Sequence, residues 1–261
     1  MAFFQVLKNG FAQDWRTANR ASAGLAPDPA TTPEAVLQVY AARALRWRGY
    51  FGVHTWISTK RSNAASYQVY EVIGWRLYRG GTALVVSDRP PDGRWFGNEP
   101  ELLRELRGEG VDQVIDRVEA AVQDYPYAGE YTLWPGPNSN TFTAFVARRV
   151  PELQLELPTT AIGKDYIGPK LFATAPSGSG FQVSLFGLLG LTFAKEEGLE
   201  INLLGLSFGI DPLKPAVKLP LVGRLGVDAV PLRALAPAPA MATPQTAPAV
   251  ATPRPHSGES G

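Results

Sequence analysis

A rigid turn that opens a helix constrains this chain most, in the run WPGPNSNTF from Trp134 to Phe142. Proline fixes φ and glycine permits positive φ, so Pro135–Pro137 predicts a tight turn. The next four residues, Asn, Ser, Asn and Thr, are of the types that cap helices. The apolar spacing that follows, with Pro151 as the stop, predicts a helix that ends at about Val150.

Ser139 lies where this turn meets the helix, and two roles are open to its hydroxyl. Unpaired backbone N–H groups of a first helical turn would point towards it, which is where an enzyme places a nucleophile. The same position suits a plain N-cap. Because capping serines are far commoner than catalytic ones, the pattern alone favours the cap.

Three extended segments precede the turn, at Tyr50–Thr59, Tyr67–Trp75 and Thr82–Ser87. Short polar turns join them, which predicts an antiparallel meander. Alternation along the first segment places His54 and Trp56 on the same face. Further predicted elements are three helices and one strand: helices at 33–46, 98–106 and 111–124, and a strand at 131–134.

A glycine-rich apolar region follows, in which Leu188–Phe193 recurs as Leu203–Phe208. The polar stretch Ala194–Gly198 between the two copies predicts a long hairpin. Alternation slips by one residue at each Leu-Leu pair, so a bulge or two-sided burial would be needed there. Such a hairpin leaves apolar area for a partner or a lipid surface, although packing as a second sheet on the first is favoured.

These segments predict an α+β fold, in which helices pack on an antiparallel sheet and a C-terminal glycine-rich β-hairpin follows. Residues 34–230 form the single domain, and residues 231–261 are an Ala/Pro-rich tail without enough apolar surface to order itself. Residues 1–33 are an amphipathic segment and a linker. Their aromatic stripe, which includes Phe4 and Phe11, could lie in a membrane interface, but docking on the domain is favoured.

Composition excludes several classes of site. The net charge is +1, so there is no electrostatic footprint for nucleic acid. Cysteine is absent and only two histidines occur, which excludes thiolate catalysis and an ordinary zinc site. We predict no metal and no cofactor. The chain has neither an apolar run of the roughly 18 residues that span a bilayer nor a secretory signal, so the expected location is cytoplasmic.

Several motifs in a fixed order identify a family resemblance. The run WPGPNSNTF, with VHTW upstream and LPTTAIGKDY and EEGLEINLLGLSFGID downstream, resembles the bacterial family DUF3750. The similarity covers about residues 47–226. It implies no particular activity.

A weaker resemblance is to permuted papain-like folds of the NlpC/P60 and PPPDE kind. Those folds place a histidine on an early strand and a cysteine in an Asn-Cys-Asn-like turn that opens a later helix. His54 and Asn138-Ser139-Asn140 follow that order, with serine at the cysteine position.

Two functional hypotheses follow. In the first, the protein is a hydrolase or acyltransferase in which Ser139 attacks, His54 accepts its proton and Glu71 orients the imidazole. The substrate-binding residues would then be Asn138, Asn140, Trp56 and Trp134.

In the second hypothesis, the protein is a non-catalytic binding or assembly module. Ser139 and Asn140 then cap the helix, and His54 is a hydrogen-bonded residue of the core. An unidentified protein partner, or a membrane surface contacted from one side, would dock on the apolar hairpin or on the N-terminal stripe.

Overall fold

The computed structural model describes residues 16–227. Within this range the protein is an α+β structure, built mostly from antiparallel strands in two sheets. Its α-helices are α1 (Val111–Gln123) and α2 (Ser139–Arg149), and short 3₁₀ helices cover Arg46–Tyr50, Gly74–Arg79 and Pro151–Leu153. The N-terminal stripe and the Ala/Pro-rich tail lie outside the described residues.

The first sheet has five antiparallel strands in the order β4-β3-β2-β1-β5. The predicted meander is confirmed as β2 to β4, because each of these strands pairs with the next. The sheet's strands are β1 (Val36–Arg43), β2 (Val53–Lys60), β3 (Gln68–Val72), β4 (Leu84–Ser87) and β5 (Glu101–Arg107).

Both α-helices lie on one face of this sheet and close the main core. Helix α2 packs on β2 and β3, and α1 packs on α2 and β1. The stripe of α1 predicted from its apolar spacing is buried, including Val114, Ile115 and Val118. These side chains meet Leu37 and Ile57 of the sheet in one apolar cluster. The apolar stripe predicted for α1 is therefore the face that the structure buries.

Two predicted helices are strands in the structure. Residues 33–46 contain β1, a central strand whose positions from Val36 to Ala42 are all buried. Its apolar residues face both sides of the sheet, so the two-residue period is hidden and a helical one fits equally well. Residues 98–106 overlap β5, where a register shift opposite Val39 and Tyr40 spaces the leucines irregularly. That bulge produced the helix-like spacing.

The predicted strand from Tyr131 to Trp134 is also wrong, because this segment joins no sheet. The Thr132 N–H donates to the Pro137 carbonyl at 2.7 Å, so the segment closes on the turn that follows it. A strand here would need a neighbour, and the turn supplies the hydrogen bond instead.

The second sheet is a seven-stranded antiparallel meander in which each strand pairs only with its neighbours in sequence. The two repeated segments form β8 and β10, and β9 lies between them, so they do not pair with each other as a hairpin would require. The Leu-Leu pairs lie at turns, which explains the slip in alternation. The strands are β6 (Phe172–Thr174), β7 (Gly180–Leu185), β8 (Leu189–Ala194), β9 (Gly198–Leu203), β10 (Leu206–Asp211), β11 (Ala216–Leu219) and β12 (Gly223–Gly226).

One face of the second sheet, here called the inner face, is polar and buried. Asp165, on the loop before the sheet, accepts hydrogen bonds from Gln182, from Asn202 at 2.9 Å and from Ser207 at 3.0 Å. Its neighbour Lys164 is buried and forms an ion pair with Glu200. Because these buried polar groups are paired, the sheet is held to the rest of the protein by its hydrophilic side.

Candidate functional site

The cap of α2 is Asn138. This residue is extended, with φ −147° and ψ −167°, and its Oδ1 accepts the N–H of Asn140 at 2.9 Å and of Thr141 at 3.2 Å. The Thr141 hydroxyl in turn accepts the Asn138 N–H at 3.1 Å, which completes a capping box. Ser139 is the first helical residue and does not cap, so the capping role predicted for it belongs to its neighbour.

The amides of Asn138 and Asn140 bind backbone on three sides of the helix start. Asn138 Nδ2 donates to the carbonyls of Leu133 and Ile162, at 3.0 and 3.1 Å. Asn140 Nδ2 donates to the carbonyls of Val53, at 3.0 Å, and of Ile162, at 2.8 Å. Both side chains are buried. These side chains therefore use their hydrogen-bonding groups to hold the turn, whereas the sequence predicted that they bind substrate.

The hydroxyl of Ser139 has no hydrogen-bond partner within residues 16–227, and the residue is only 5 % exposed. Its carbonyl is engaged, since Thr55 Oγ1 and Thr143 Oγ1 donate to it at 3.4 and 3.3 Å. The N–H groups of the next two helical residues are already bound by Asn138 Oδ1. The N–H groups of Asn140 and Thr141 are therefore not free to stabilise an oxyanion at this helix start.

His54 lies on the opposite face of the first sheet from Ser139. The neighbouring residue Thr55 points to α2, where its hydroxyl contacts Asn140 Oδ1 at 3.0 Å and Thr143 at 2.8 Å. Side chains alternate along a strand, so His54 points away from the helix. The sheet backbone thus separates the imidazole from Ser139, and the predicted nucleophile–base pair does not form.

The structure does bring His54 and Glu71 together on that outer side. His54 Nε2 lies 2.8 Å from Glu71 Oε2. Arg89 grips the same carboxylate with two nitrogens, Nε to Oε1 at 2.7 Å and a terminal nitrogen to Oε2 at 3.2 Å. Glu71 is buried, so both partners compensate the cost of removing its charge from water.

Electrostatics set the charge states of this trio. Burial alone would raise the pKa of Glu71, but the hydrogen bond with His54 and the charge and hydrogen bonds of Arg89 outweigh it and hold that pKa at about 2. Burial lowers the pKa of His54, against the opposing effect of the Glu71 carboxylate. We infer a neutral imidazole that donates from Nε2 to a charged carboxylate. Within the described residues Nδ1 has no hydrogen-bond partner.

Aromatic rings cover the imidazole. The His54 ring stacks on Trp95 with centroids 3.7 Å apart and lies 5.7 Å from Trp56. The Arg89 guanidinium lies over Trp56 at 4.8 Å, and Trp56 Nε1 donates to the Pro91 carbonyl at 2.7 Å. Trp56 is fully buried, which leaves it no surface for the substrate contact predicted for it.

Sequence analysis missed Arg89 and Trp95 as members of this cluster. The signal available was the loop that follows β4, at 88–97, which carries Arg89, Arg94 and Trp95. A buried acidic residue such as Glu71 on a neighbouring strand requires a cationic partner, and the strand order makes this loop a nearby source.

Trp134, the remaining predicted substrate residue, contacts the second sheet. Its Nε1 donates to the Leu204 carbonyl at 2.9 Å, and half of the residue is exposed. A Cβ at Gly205 would lie 2.7 Å from that nitrogen, so the close approach requires glycine there. This hydrogen bond joins the turn before α2 to the β9–β10 turn.

The other face of the second sheet, here called the outer face, is apolar and open. Every outward position except Thr174 and Gly223 is Val, Leu, Ile or Phe. None of the outward positions on strands β6 to β12 carries a charged side chain. The most exposed members are Phe172, Phe181, Leu185, Leu189, Leu191, Phe193, Ile201, Leu203, Phe208, Ile210, Val217 and Leu225, each at least 40 % exposed.

Two clefts lie elsewhere. One of about 480 Å³ lies beside α1 and β3, lined by Arg61, Tyr70 and Glu119 among others. The second, of about 620 Å³, lies between α2 and β6, with Tyr127 and Arg149 in its wall. Neither is lined by Ser139 or His54, so these clefts do not supply a substrate site for the predicted pair.

Within residues 16–227 no cluster of three or more His, Asp or Glu side chains is placed to hold a metal ion. In the same range, none of the helices combines the length and apolarity needed to cross a bilayer.

Comparison with known proteins identifies a family for this chain. No curated protein matches the chain, and no solved structure does. A family model described as a protein of unknown function matches residues 34–166, which includes the first sheet, both α-helices and the capped turn. The chain therefore belongs to the DUF3750 family.

Proposed function

We propose that this protein is a non-catalytic binding or assembly module that docks through the outer face of its second sheet. The observation that carries the proposal is the composition of that face: outward positions on seven strands are apolar with only two exceptions, and they remain exposed. Monomeric proteins rarely expose contiguous apolar patches above a few hundred Å², and larger ones mark interaction sites.

The polarity of the second sheet supports this interpretation. A sheet that merely covered the rest of the protein would turn its apolar side inward. Here the inward positions are polar, and they pair with the loop that carries Lys164 and Asp165. The apolar side is consequently directed outwards by a set of specific polar contacts, which is the arrangement a docking surface requires.

The hydrolase hypothesis receives less support. Serine needs a base within hydrogen-bond reach, and the imidazole of His54 points to the other side of the sheet. The Glu71 carboxylate is already bound by Arg89 and His54. We propose that the trio stabilises the outer side of the first sheet, as a hydrogen-bonded histidine of the core would.

The permuted papain-like fold remains a proposal about ancestry. The order of a strand with histidine and a later helix opened by Asn-Ser-Asn supports it. The separation of these residues by the sheet is what an inactive descendant would tolerate, because its nucleophile and base no longer need to meet.

A paired experiment tests the proposal. The full-length wild type and the Ser139→Ala variant are assayed with activated ester and amide probes. We expect equal, background rates, and turnover that is lost in the variant would contradict the non-catalytic assignment.

The surface is tested with an environment-sensitive apolar dye at a protein concentration at which the wild type sediments as a monomer, so that no second copy covers the outer face. Dye binding should fall at least fivefold in Ile201→Glu, which places a charge in the middle of the outer face. Val86→Glu is the matched control, because Val86 is a comparably exposed apolar strand residue on the first sheet. Equal dye binding by the wild type and Ile201→Glu would refute an open docking face.

A further inference from the structure

The outer face is centred on one residue. The middle strand of the seven is β9, and the middle one of its three outward residues is Ile201. Three strands lie on each side, β6 to β8 and β10 to β12. The face can therefore oppose a copy of itself with its centre on the symmetry axis.

The exposed area is sufficient for a stable dimer. The twelve large side chains that are at least 40 % exposed together equal about six fully exposed ones. At roughly 150 Å² for each, the low end of the range for aromatic side chains, this is about 900 Å² on one copy. The largest patch of an ordinary monomer is about 300–600 Å². A standard protein interface takes about 800 Å² from each partner.

We propose that the occupant of the outer face is a second copy of this chain, and that the two faces stack into a β-sandwich. The inference rests on the proposed docking function and names its partner. Because the face carries no charged side chain, two copies can meet without leaving an unpaired charge or creating like-charge repulsion. Face-to-face sheets pack about 10 Å apart, with side chains interdigitating between them.

The two halves of the face differ in a way that suits this arrangement. The β6–β8 half carries three phenylalanines, whereas the β10–β12 half carries one, Phe208, beside smaller groups such as Val217 and Gly223. A two-fold axis that runs along β9, in the plane between the sheets, places each phenylalanine-rich half over the half with smaller side chains. Large groups opposite small ones allow close packing of two identical surfaces.

The turns at one end of the sheet extend the apolar surface. Phe186, Leu204 and Leu221 have positive φ values of 51°, 54° and 66°, a conformation that bulky L-residues rarely adopt. Glycine or asparagine would relieve each turn. All three side chains are at least 40 % exposed. The turns at the opposite end instead contain Lys195 and Lys214. An axis along β9 brings the apolar ends of both copies to the same end of the sandwich.

The test is the oligomeric state of the full chain by analytical ultracentrifugation, across a range of protein concentrations. We expect a dimer for the wild type and for the control Val86→Glu. Ile201→Glu should be a monomer, with dimerisation weakened about 100-fold or more, because two carboxylates would be buried against each other. Ile201 is 46 % exposed within one chain, so the substitution should leave its fold intact, which a melting curve checks.

A charge-complementation experiment separates a second copy from every other occupant. On the proposed axis, Ile201 of one copy faces Ile201 of the other. Ile201→Glu and Ile201→Lys should each be monomeric alone and should form a mixed dimer when combined. Failure of the mixture to dimerise, although each variant folds and is monomeric, would overturn the two-fold geometry.

Other outcomes also overturn the dimer, and they identify what replaces it. A wild-type monomer that floats with phosphatidylcholine–phosphatidylglycerol vesicles, and loses this in Ile201→Glu, assigns the face to lipid and leaves the docking function standing. A monomer that binds apolar dye only after residues 1–15 are removed assigns it to the N-terminal stripe. A wild-type dimer unaffected by Ile201→Glu uses another surface. If the face binds no dye, copy or vesicle, the docking function fails as well.

Discussion

Replacing Asn138 by alanine should destabilise the protein by about 3 kcal/mol, whereas Ser139→Ala should change the free energy of unfolding by no more than about 0.5 kcal/mol. The contrast follows from which side chain bonds the start of α2. Asn138 Oδ1 accepts two first-turn N–H groups, and Nδ2 donates to two carbonyls. The Ser139 hydroxyl has no bond within the described chain, and alanine is at least as good in a helix.

The loss of unfolding free energy expected for Asn138→Ala combines two effects. Loss of a helix N-cap costs about 1 kcal/mol. The carbonyls of Leu133 and Ile162 would also lose a donor in a buried site, and each group left unsatisfied costs roughly 1–3 kcal/mol. Because the Ile162 carbonyl keeps its bond from Asn140, the lower end of that range applies. Asn138→Ser separates the effects, since serine can cap but cannot donate to both carbonyls; about two-thirds of the loss should remain.

Urea unfolding of the full chain, followed by circular dichroism and tryptophan fluorescence, measures these differences. The dependence of the unfolding free energy on urea should be unchanged among the variants, as expected when the folded state is the same. If Ser139→Ala cost more than Asn138→Ala, the serine would carry the helix start, and the assignment of the cap would be wrong.

Two further predictions concern buried charges. Glu71→Gln should cost about 2–3 kcal/mol in urea unfolding, because it leaves Arg89 without its carboxylate. The pKa of Glu71 is about 2 in the folded protein against 4.5 ordinarily, so its stabilisation is complete above pH 4.5 and is lost as the pH falls towards 2. The glutamine variant should lack this part of the acid sensitivity, and an unchanged pH profile would contradict the pairing. Asp165→Asn should cost roughly 2–3 kcal/mol, since it disrupts acceptors for Gln182, Asn202 and Ser207. Asp116→Asn, on the exposed side of α1, is its control, and equal losses would show that the inner face is not held by these bonds.

The local sequence was sufficient to predict an element where the residues of that element alone favoured one conformation. The turn before α2 combines prolines, a glycine and capping residues, and the capping hydrogen bonds that follow from them are local. Helix α1 shows a clean apolar stripe, which a single buried side demands. The β2–β4 meander followed from short turns between extended segments.

The spacing of apolar residues did not identify a strand where the segment is buried on both sides or contains a bulge. Strand β1 lies between β2 and β5 and has apolar contacts on both faces of the sheet, so its period of two is hidden. Strand β5 is shifted by an irregularity against β1. In both cases the neighbouring strands and helices decide the conformation, and they are distant in sequence.

For the candidate site, alternation already placed His54 and Trp56 on one face of a strand. It could not tell which face α2 would cover, because both faces of an isolated strand are equivalent until a helix packs on one of them. The tertiary structure put Ser139 on the side of Thr55, and it supplied Arg89 and Trp95 from a loop to the side of His54.

The same division holds for the second sheet. Sequence determined that its strands have one apolar and one polar face, because alternation is a property of the extended chain. Which face turns inward was decided only by the loop before the sheet, where buried Lys164 and Asp165 need ionic and hydrogen-bonding partners. Leaving them unpaired would cost more than exposing apolar side chains, so the polar face is buried and the apolar face is left for a partner.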